Sequence, residues 1–253
     1  MLEADTFTEI GATHYQCQDS ARVRVYGDHA IAVLCDGCSS AINTEIGARL
    51  LAWNISQNPG WDSSDILAYM DRCIPPMGLH KSSFYSTILR AIADSQQFNV
   101  SVWGDGFVIA RKVTGGLRVV HLTYPEGAPA YLAYAQSSKD LDAYQSQFHG
   151  GICQIDVWDF DDGQWSLVNQ STSEGVVENI FTFTYDEYDL VTLSSDGIET
   201  FKDVEWKDIV PSLCSYKNLH GEFVRRRVSA FLKREHSVHG DDISFASIAR
   251  IVS

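Results

Sequence analysis

Basic residues are scarce in this sequence. Its 253 residues include 19 lysines and arginines against 33 aspartates and glutamates, which gives a formal net charge of −14. That excess would repel the phosphate backbone of a nucleic acid unless basic residues were concentrated in a patch, so we expect no nucleic-acid partner. The one basic cluster comprises Arg225, Arg226, Arg227, Lys233 and Arg234. We interpret it as the solvated face of a helix, and a docking surface for an acidic phosphorylated partner is the alternative.

Long apolar runs are also missing. No stretch reaches the roughly 18 uninterrupted apolar residues that a membrane span needs. The N-terminus, Met1-Leu2-Glu3-Ala4-Asp5, is acidic and lacks the apolar core of a secretory signal. The six cysteines are scattered, as is typical of thiols in a reducing compartment. We therefore expect no membrane association and a cytoplasmic location.

Two of the cysteines form a C-x-x-C motif, Cys35-Asp36-Gly37-Cys38. Such a motif could carry redox chemistry or supply half of a zinc site. The sequence has no second C-x-x-C and no paired-histidine motif to complete a zinc site, and the redox form usually opens a helix. We favour buried structural thiols and keep a redox function as the alternative.

The composition favours a folded protein, with 45% hydrophobic and 11% aromatic residues. No linker, repeat or low-complexity tract divides the chain, so we expect a single domain over residues 1–253. Alternating or β-rich runs predict strands at residues 22–26, 30–35, 99–103, 107–113, 117–123, 152–160, 164–168, 190–193 and 243–252. Helical periodicity predicts helices at residues 44–57, from behind Ser63-Ser64-Asp65 to just before Pro75, at 204–216 and at 219–235.

Two segments give no clear prediction. Residues 86–93 fit either a helix or a strand, and residues 125–151 form a polar segment that we interpret as a surface excursion. The order of strands, then helices, then strands predicts an α+β protein in which sheets pack together with helices outside.

Short acidic motifs beside apolar runs carry the functional signal. They are Gln18-Asp19, Asp36-Gly37, Ser195-Asp196-Gly197 and Asp241-Asp242. Four separate segments could thus deliver carboxylates to one place, where they would repel one another without a counter-charge. Hard divalent cations such as Mg²⁺ or Mn²⁺ take oxygen ligands and supply that charge. The pattern predicts a metal site, although Asp19 alone could cap a turn.

The order of these motifs resembles that of the metal-dependent serine/threonine protein phosphatases of the 2C type, in their bacterial-like branch. The resemblance runs from Thr13 to Ile251 and adds two matches, Gly47-Ala48 in a helix and Gly104-Asp105-Gly106 after a strand. Each motif is weak alone, whereas all of them in order form a strong joint signal. The resemblance implies a four-layer α-β-β-α sandwich, with two packed antiparallel sheets flanked by helices.

The resemblance also implies a role for each matched residue. Asp36 would bridge two Mn²⁺ or Mg²⁺ ions, with the Gly37 carbonyl on one of them. Asp196 and Asp241 would bind the other ion, and Asp19 would bind directly or through water. Asp105 would hold a weaker third ion together with Asp196. A hydroxide bridging the metals would then attack phosphorus without a covalent enzyme intermediate.

The sequence departs from the family at positions beside the expected ligands. His14 stands where some members carry an arginine that grips the substrate phosphate; it could donate to phosphate, or it could have a core or turn role. Cys38 replaces a histidine proposed as the acid for the leaving group, so that acid is either missing or supplied by metal-bound water. Asp242 offers an alternative register to Asp241. We expect metal binding to survive and substrate choice to differ.

The leading hypothesis is therefore a cytoplasmic phosphatase that hydrolyses phosphoserine and phosphothreonine in proteins. Its partners would be a phosphorylated protein and a cognate serine/threonine kinase. One alternative is a pseudophosphatase that binds phosphoprotein without hydrolysing it. Another is a metallohydrolase for small phosphoesters, with residues 125–151 as a lid over the pocket.

Overall fold

Two antiparallel sheets form the frame of the molecule. The computed structural model describes residues 1–235 and 238–251, and within them one sheet has seven strands and the other has five. The seven-stranded sheet runs in the order β1 (Leu2–Glu9), β12 (Ile243–Arg250), β11 (Tyr188–Ser194), β6 (Gly106–Lys112), β7 (Leu117–Thr123), β8 (Ile152–Asp161) and β9 (Gln164–Glu174). The five-stranded sheet runs in the order β10 (Asn179–Thr184), β5 (Gln97–Trp103), β4 (Ile88–Ala93), β3 (His29–Asp36) and β2 (Asp19–Tyr26).

Helices cover the outer face of each sheet. The described residues contain α1 (Thr44–Gln57), α2 (Ser63–Met77), α3 (Ser138–Gln147), α4 (Trp206–Leu213) and α5 (Phe223–Glu235). Leu51 of α1 and Met70 of α2 share a buried cluster with the five-stranded sheet. Ile209 of α4 and Val224 of α5 share another with the seven-stranded sheet. The predicted α-β-β-α sandwich is confirmed.

Strand β3 shows how the sequence builds these layers. Ala30, Ala32 and Leu34 point into the cluster between the two sheets. Ile31, Val33 and Cys35 point to the opposite face, toward α1 and α2. Because successive side chains of a strand face opposite sides, a strand covered on both faces reads as a continuous apolar run.

Most predicted elements are present, with shifted ends. Helix α1 has the predicted bounds, and residues 86–93 resolve to strand β4. Helix α2 was predicted to end before Pro75 but continues through both prolines to Met77, where Gly78 ends it with φ of 64°. Strands β1 and β10 were not predicted. Val252, the predicted end of the last strand, lies outside the described residues.

The segment predicted as a surface excursion, residues 125–151, contains a 3₁₀ turn at Leu132–Gln136 followed by α3. Tyr131 and Leu132 of this segment are buried. The single-domain organisation of residues 1–253 stays a prediction. No helix in the described part of the chain is long and apolar enough to cross a membrane.

Helix α1 approaches the chain around Ser83 so closely that only glycine fits. A Cβ on Gly47 would lie 1.7 Å from the backbone oxygen of Ser83. Alanine would gain about 1 kcal/mol in helix propensity over glycine. Relieving such an overlap requires the backbone to move, which typically costs about 1–3 kcal/mol.

We therefore expect Gly47→Ala to lower the free energy of unfolding, measured by urea denaturation. Gly60→Ala is the matched control, because a Cβ there meets nothing within 4 Å. If the two variants proved equally stable, α1 would not be seated directly on residues 81–84.

Candidate metal centre

Strand pairing brings the acidic motifs to one end of the sandwich. Asp19 opens β2 and pairs directly with Asp36, the last residue of β3. In the other sheet, Ser194 at the end of β11 pairs with Phe245 near the start of β12 and with Phe107 near the start of β6. The residues just beyond these strand ends, Asp196, Asp241 and Asp105, therefore meet at the same edge.

A pocket of about 390 Å³ collects these side chains. Five of the six predicted metal-binding residues line it, namely Asp36, Gly37, Asp105, Asp196 and Asp241. The sixth, Asp19, is buried beside Asp36 and forms a hydrogen-bonding contact with its carboxyl group. Asp36 makes a similar contact with Asp196. Asp19, Asp36 and Asp196 thus form a chain of contacting carboxyl groups.

One oxygen of Asp19 shows that a partner is needed. Asp19 Oδ2 accepts a hydrogen bond of 2.8 Å from the Ser195 hydroxyl. Asp19 Oδ1 is buried and has no well-formed hydrogen bond from the described residues, although the Asp36 carboxyl and the Ser244 hydroxyl lie close to Asp19. A buried carboxylate oxygen left without a partner is costly, so either a proton or a cation has to meet it.

The pKa values of the clustered acids also indicate that the site needs a proton or a cation. Burial, opposed in part by hydrogen bonds from Ser195 and Asp36, raises the pKa of Asp19 to about 8. Burial and the charges of Asp19 and Asp196 raise the pKa of Asp36 well above its usual range. Burial raises the pKa values of Asp105 and Asp196, and the negative charge of Asp196 raises the pKa of Asp105 further. A set of oxygen donors that resists ionising together fits hard divalent cations such as Mg²⁺ or Mn²⁺.

The two neighbouring aspartates before β12 have different surroundings. Asp241 lines the pocket, with 43% of its side chain exposed. Asp242 is buried, and its oxygens accept hydrogen bonds from the backbone N–H groups of Gly11, at 2.7 Å, and Gln18, at 2.6 Å. Asp242 therefore fastens the segment that carries Asp19, and Asp241 is the one whose carboxylate reaches the pocket.

The turn at Ser195-Asp196-Gly197 is pressed against this pair. A Cβ on Gly197 would lie 1.8 Å from the backbone oxygen of Asp242, so a larger residue would push the two turns apart. The Ser195 hydroxyl also accepts a 3.0 Å hydrogen bond from the Ser244 N–H. These contacts set the spacing between Asp196 and Asp241.

His14 lines the pocket and lies between the two aspartates. Its Nε2 is 3.4 Å from Asp241 Oδ1, and its Nδ1 is 3.2 Å from Asp242 Oδ2. These three residues could by spacing alone hold a cation, since their ligand atoms lie within 4.8 Å of one another. Because backbone N–H groups already occupy both oxygens of Asp242, we interpret His14 as a support for Asp241. Phosphate binding by His14 stays a prediction.

The C-x-x-C cysteines are not paired. All six cysteines lie in the described residues and are free thiols. Cys35 is fully buried in the core, and burial raises its pKa. Cys38 lies in the pocket wall, with its Sγ 3.1 Å from the Ser40 hydroxyl. The structure therefore shows no disulfide in the part of the chain it describes, and each thiol has a different environment.

Several pocket residues were missed by the sequence analysis, among them Glu199 and Tyr131. Glu199 lies on the 3₁₀ turn Asp196–Glu199, and its Oε1 is 3.3 Å from the buried His121 Nε2. Its place on the turn that carries Asp196 was a signal that could have been used. Tyr131 comes from the 125–151 segment, whose sequence carries no periodic pattern, and only the tertiary structure brings it to the pocket.

Comparison with known proteins identifies the fold. No family model and no curated protein matches the chain. Among solved structures it is similar to the serine/threonine phosphatase Stp1 from Staphylococcus aureus, at 16% identity and a TM-score of 0.59 over 100% of this chain and 96% of that one. A bacterial serine phosphatase matches at 14% identity and a TM-score of 0.58, covering 100% and 99% of the two chains. RsbX in complex with magnesium matches at 13% identity and 0.52, covering 98% and 94%. The chain therefore has the fold of bacterial 2C-type phosphatases, as predicted.

The raised pKa values predict how the metal-free protein responds to pH. Between the ordinary carboxyl value of 3.8 and about 8, the folded protein holds a proton on Asp19 that the unfolded chain has lost. The free energy of unfolding should therefore fall as the pH rises through that window. Thermal melting in EDTA from about pH 5 to about pH 8 measures this slope.

The Asp19→Asn variant is the control for this slope, because an amide cannot ionise. The melting temperature of the variant should fall less steeply with rising pH than that of the wild type. Mn²⁺ should restore the melting temperature of the wild type at the alkaline end of the range. Equal slopes in the two proteins would show that Asp19 is not held protonated in the fold.

Proposed function

We propose that this protein is a metal-dependent phosphatase that removes phosphate from phosphoserine and phosphothreonine in proteins. The observation that carries the proposal is the meeting of Asp36, Asp105, Asp196 and Asp241 in one pocket, with Asp19 buried behind them. Such a gathering of carboxylates requires positive charge, and phosphoryl transfer is a reaction in which that charge is used directly.

The proposed ligands divide between two cations, Mn²⁺ or Mg²⁺. Asp36 would contribute to both sites, the Gly37 carbonyl to one, and Asp196 and Asp241 to the other. Asp19 would support them, and Asp105 with Asp196 would hold a weaker third ion. When bound, the cations supply positive charge for the phosphoryl oxygens and lower the pKa of the attacking water.

The pocket itself favours a phosphate on a protruding side chain. Among the described residues that line it there is no lysine and no arginine, so no side chain of fixed positive charge grips the phosphate. The cavity of about 390 Å³ is large enough for a phosphorylated serine or threonine side chain and lies at the molecular surface. A phosphorylated protein, a cognate serine/threonine kinase and a cytoplasmic location are parts of this proposal.

Removing one carboxylate should abolish the reaction. We expect Asp36→Asn to lower kcat on a phosphothreonine peptide by about a thousandfold, because several kcal/mol of charge stabilisation is lost and about 1.4 kcal/mol is worth a factor of ten. EDTA should have the same effect on the wild type, and excess Mn²⁺ should reverse it. The measurement is phosphate release with and without Mn²⁺.

The matched control is Asp28→Asn, an exposed aspartate beside His29 in the β2–β3 turn, which should keep wild-type activity. Activity that ignores both EDTA and Asp36→Asn would refute the metal mechanism. Mn²⁺-dependent peptide binding without phosphate release would identify a binding module. Release from small phosphoesters alone would identify a small-molecule hydrolase.

The two roles considered for His14 predict different kinetics. If His14 supports Asp241, His14→Ala should weaken Mn²⁺ affinity about 10- to 100-fold, as losses of outer-shell partners do. KM for the phosphopeptide at saturating Mn²⁺ should then stay unchanged. Titration calorimetry gives the first quantity and steady-state kinetics the second.

His29→Ala is the control, since His29 also pairs with an aspartate, at 2.7 Å, but outside the pocket. A raised KM with unaltered Mn²⁺ affinity in His14→Ala would instead assign His14 to the phosphate.

A further inference from the structure

The proposed reaction needs a hydrogen-bond donor that the carboxylates cannot provide. A serine or threonine alkoxide is strongly basic and leaves phosphorus only if its oxygen is protonated or otherwise stabilised. Carboxylates that hold cations are acceptors, and the described lining residues include no lysine or arginine. A neutral side chain of the pocket wall can provide such a donor.

Several polar groups in the wall are already engaged within the protein. The Gln18 amide donates to the Thr44 hydroxyl at 2.8 Å. The Thr87 hydroxyl accepts a 3.2 Å hydrogen bond from the Asp36 N–H. The Tyr124 hydroxyl is bonded to the backbone of Ala130 and to the Cys153 thiol. These contacts engage the Gln18 amide and the Tyr124 hydroxyl within the protein. The Thr87 hydroxyl keeps its own proton, but it is an alcohol and no more acidic than the serine or threonine that leaves.

The remaining polar side chains of the wall are less suitable as donors. Ser39 and Ser40 are exposed, so neither has a direction fixed by packing. His14 has a carboxylate beside each ring nitrogen, at 3.4 Å and 3.2 Å. A suitable donor has to be held in place by packing and free to exchange its present partner for the leaving oxygen.

Tyr131 meets both requirements. It is 7% exposed and lines the pocket. Its ring stacks on Tyr85 at 6.1 Å with an interplanar angle of 15°, and it contacts Tyr134 at 5.7 Å. Its hydroxyl forms a hydrogen-bonding contact with the Cys38 thiol, two residues after Asp36. The aromatic contacts fix the ring. The Tyr124 oxygen is held by the backbone of Ala130 as well as by a thiol, whereas the contact of the Tyr131 hydroxyl is with a thiol, a weak acceptor that a leaving oxygen can replace.

We propose that Tyr131 donates its hydroxyl proton to the ester oxygen as that oxygen leaves phosphorus. The proposal rests on the proposed phosphatase function and names the residue that serves the leaving group. The P–O bond breaks and its electron pair stays on the departing oxygen, which takes the proton from the Tyr131 O–H. The phenolate that remains recovers a proton from water at the pocket mouth.

The surroundings of Tyr131 keep the donor in its protonated form. Burial, followed by the negative charge of Asp105, raises the pKa of Tyr131 well above its usual range. The hydroxyl is therefore intact at neutral pH. The raised pKa also makes Tyr131 a weaker acid, so the transfer depends on the strong basicity of the departing alkoxide.

The test uses two substrates that differ in their need for a proton. The leaving group of p-nitrophenyl phosphate departs as a stable anion, whereas that of a phosphothreonine peptide is a basic alkoxide. We expect Tyr131→Phe to lower kcat on the peptide by about 100-fold, and on p-nitrophenyl phosphate by less than about threefold, since general acid catalysis is worth at least that much on a poor leaving group.

The matched control is Tyr134→Phe, which changes a tyrosine of the same aromatic contacts that does not line the pocket. It should leave both rates unchanged. Melting temperature and calorimetric Mn²⁺ affinity, measured on all three proteins, should also be unchanged, which separates loss of a donor from loss of structure or of metal.

The possible outcomes distinguish this proposal from the proposed function. Equal losses on the two substrates in Tyr131→Phe, or no loss on the peptide, would overturn the role of Tyr131 while leaving the phosphatase in place. A wild-type protein that releases phosphate from neither substrate with Mn²⁺ would overturn both.

Discussion

The repulsion between buried carboxylates is the constraint on which the rest of this structure depends. Asp19 and Asp36 face each other across the β2–β3 pair, and Asp36 also contacts Asp196. Without added positive charge, such a group remains folded only by holding protons, which is why burial and mutual charge raise the pKa values of these acids. Gathering these acids in one place lowers the stability of the fold, and a cation that binds the folded state restores stability.

The backbone around the cluster is built to resist that repulsion. Asp242 binds two backbone N–H groups of the N-terminal segment, so the chain that carries Asp19 cannot move away from β12. The Ser195 hydroxyl bridges Asp19 and the Ser244 N–H across the two sheets. Gly197 lets its turn touch the backbone of Asp242. These contacts hold in place the segments that carry the acids, so the site is organised before any ligand arrives.

The sequence predicts best those elements whose residue types are set by their local environment. The apolar run of β3 and the acidic residue that ends it were visible because burial on both faces removes all polar residues until the strand reaches the pocket. Strand β1 was missed because its core-facing residues Leu2 and Ala4 are only partly buried, and the Glu3 and Asp5 between them have low strand propensity. The prolines at the end of α2 lack N–H groups, yet the helix is closed by the Leu79 N–H to the Ile74 carbonyl, which propensity alone does not predict.

The pocket wall could not be predicted for a different reason. Metal ligands lie at strand ends and carry their signal in the adjacent residues, whereas Tyr131 and Glu199 reach the pocket through tertiary packing. The ring of Tyr131 contacts Tyr134, which is close in sequence, and Tyr85, which lies far earlier in the chain. No sequence motif connects the three tyrosines. Ligands to a cation are restricted to a few residue types at fixed places, but a wall that meets the substrate can be built from many side chains. The metal ligands can therefore be predicted from the sequence, whereas the wall residues that contact a substrate can be identified only in the folded structure.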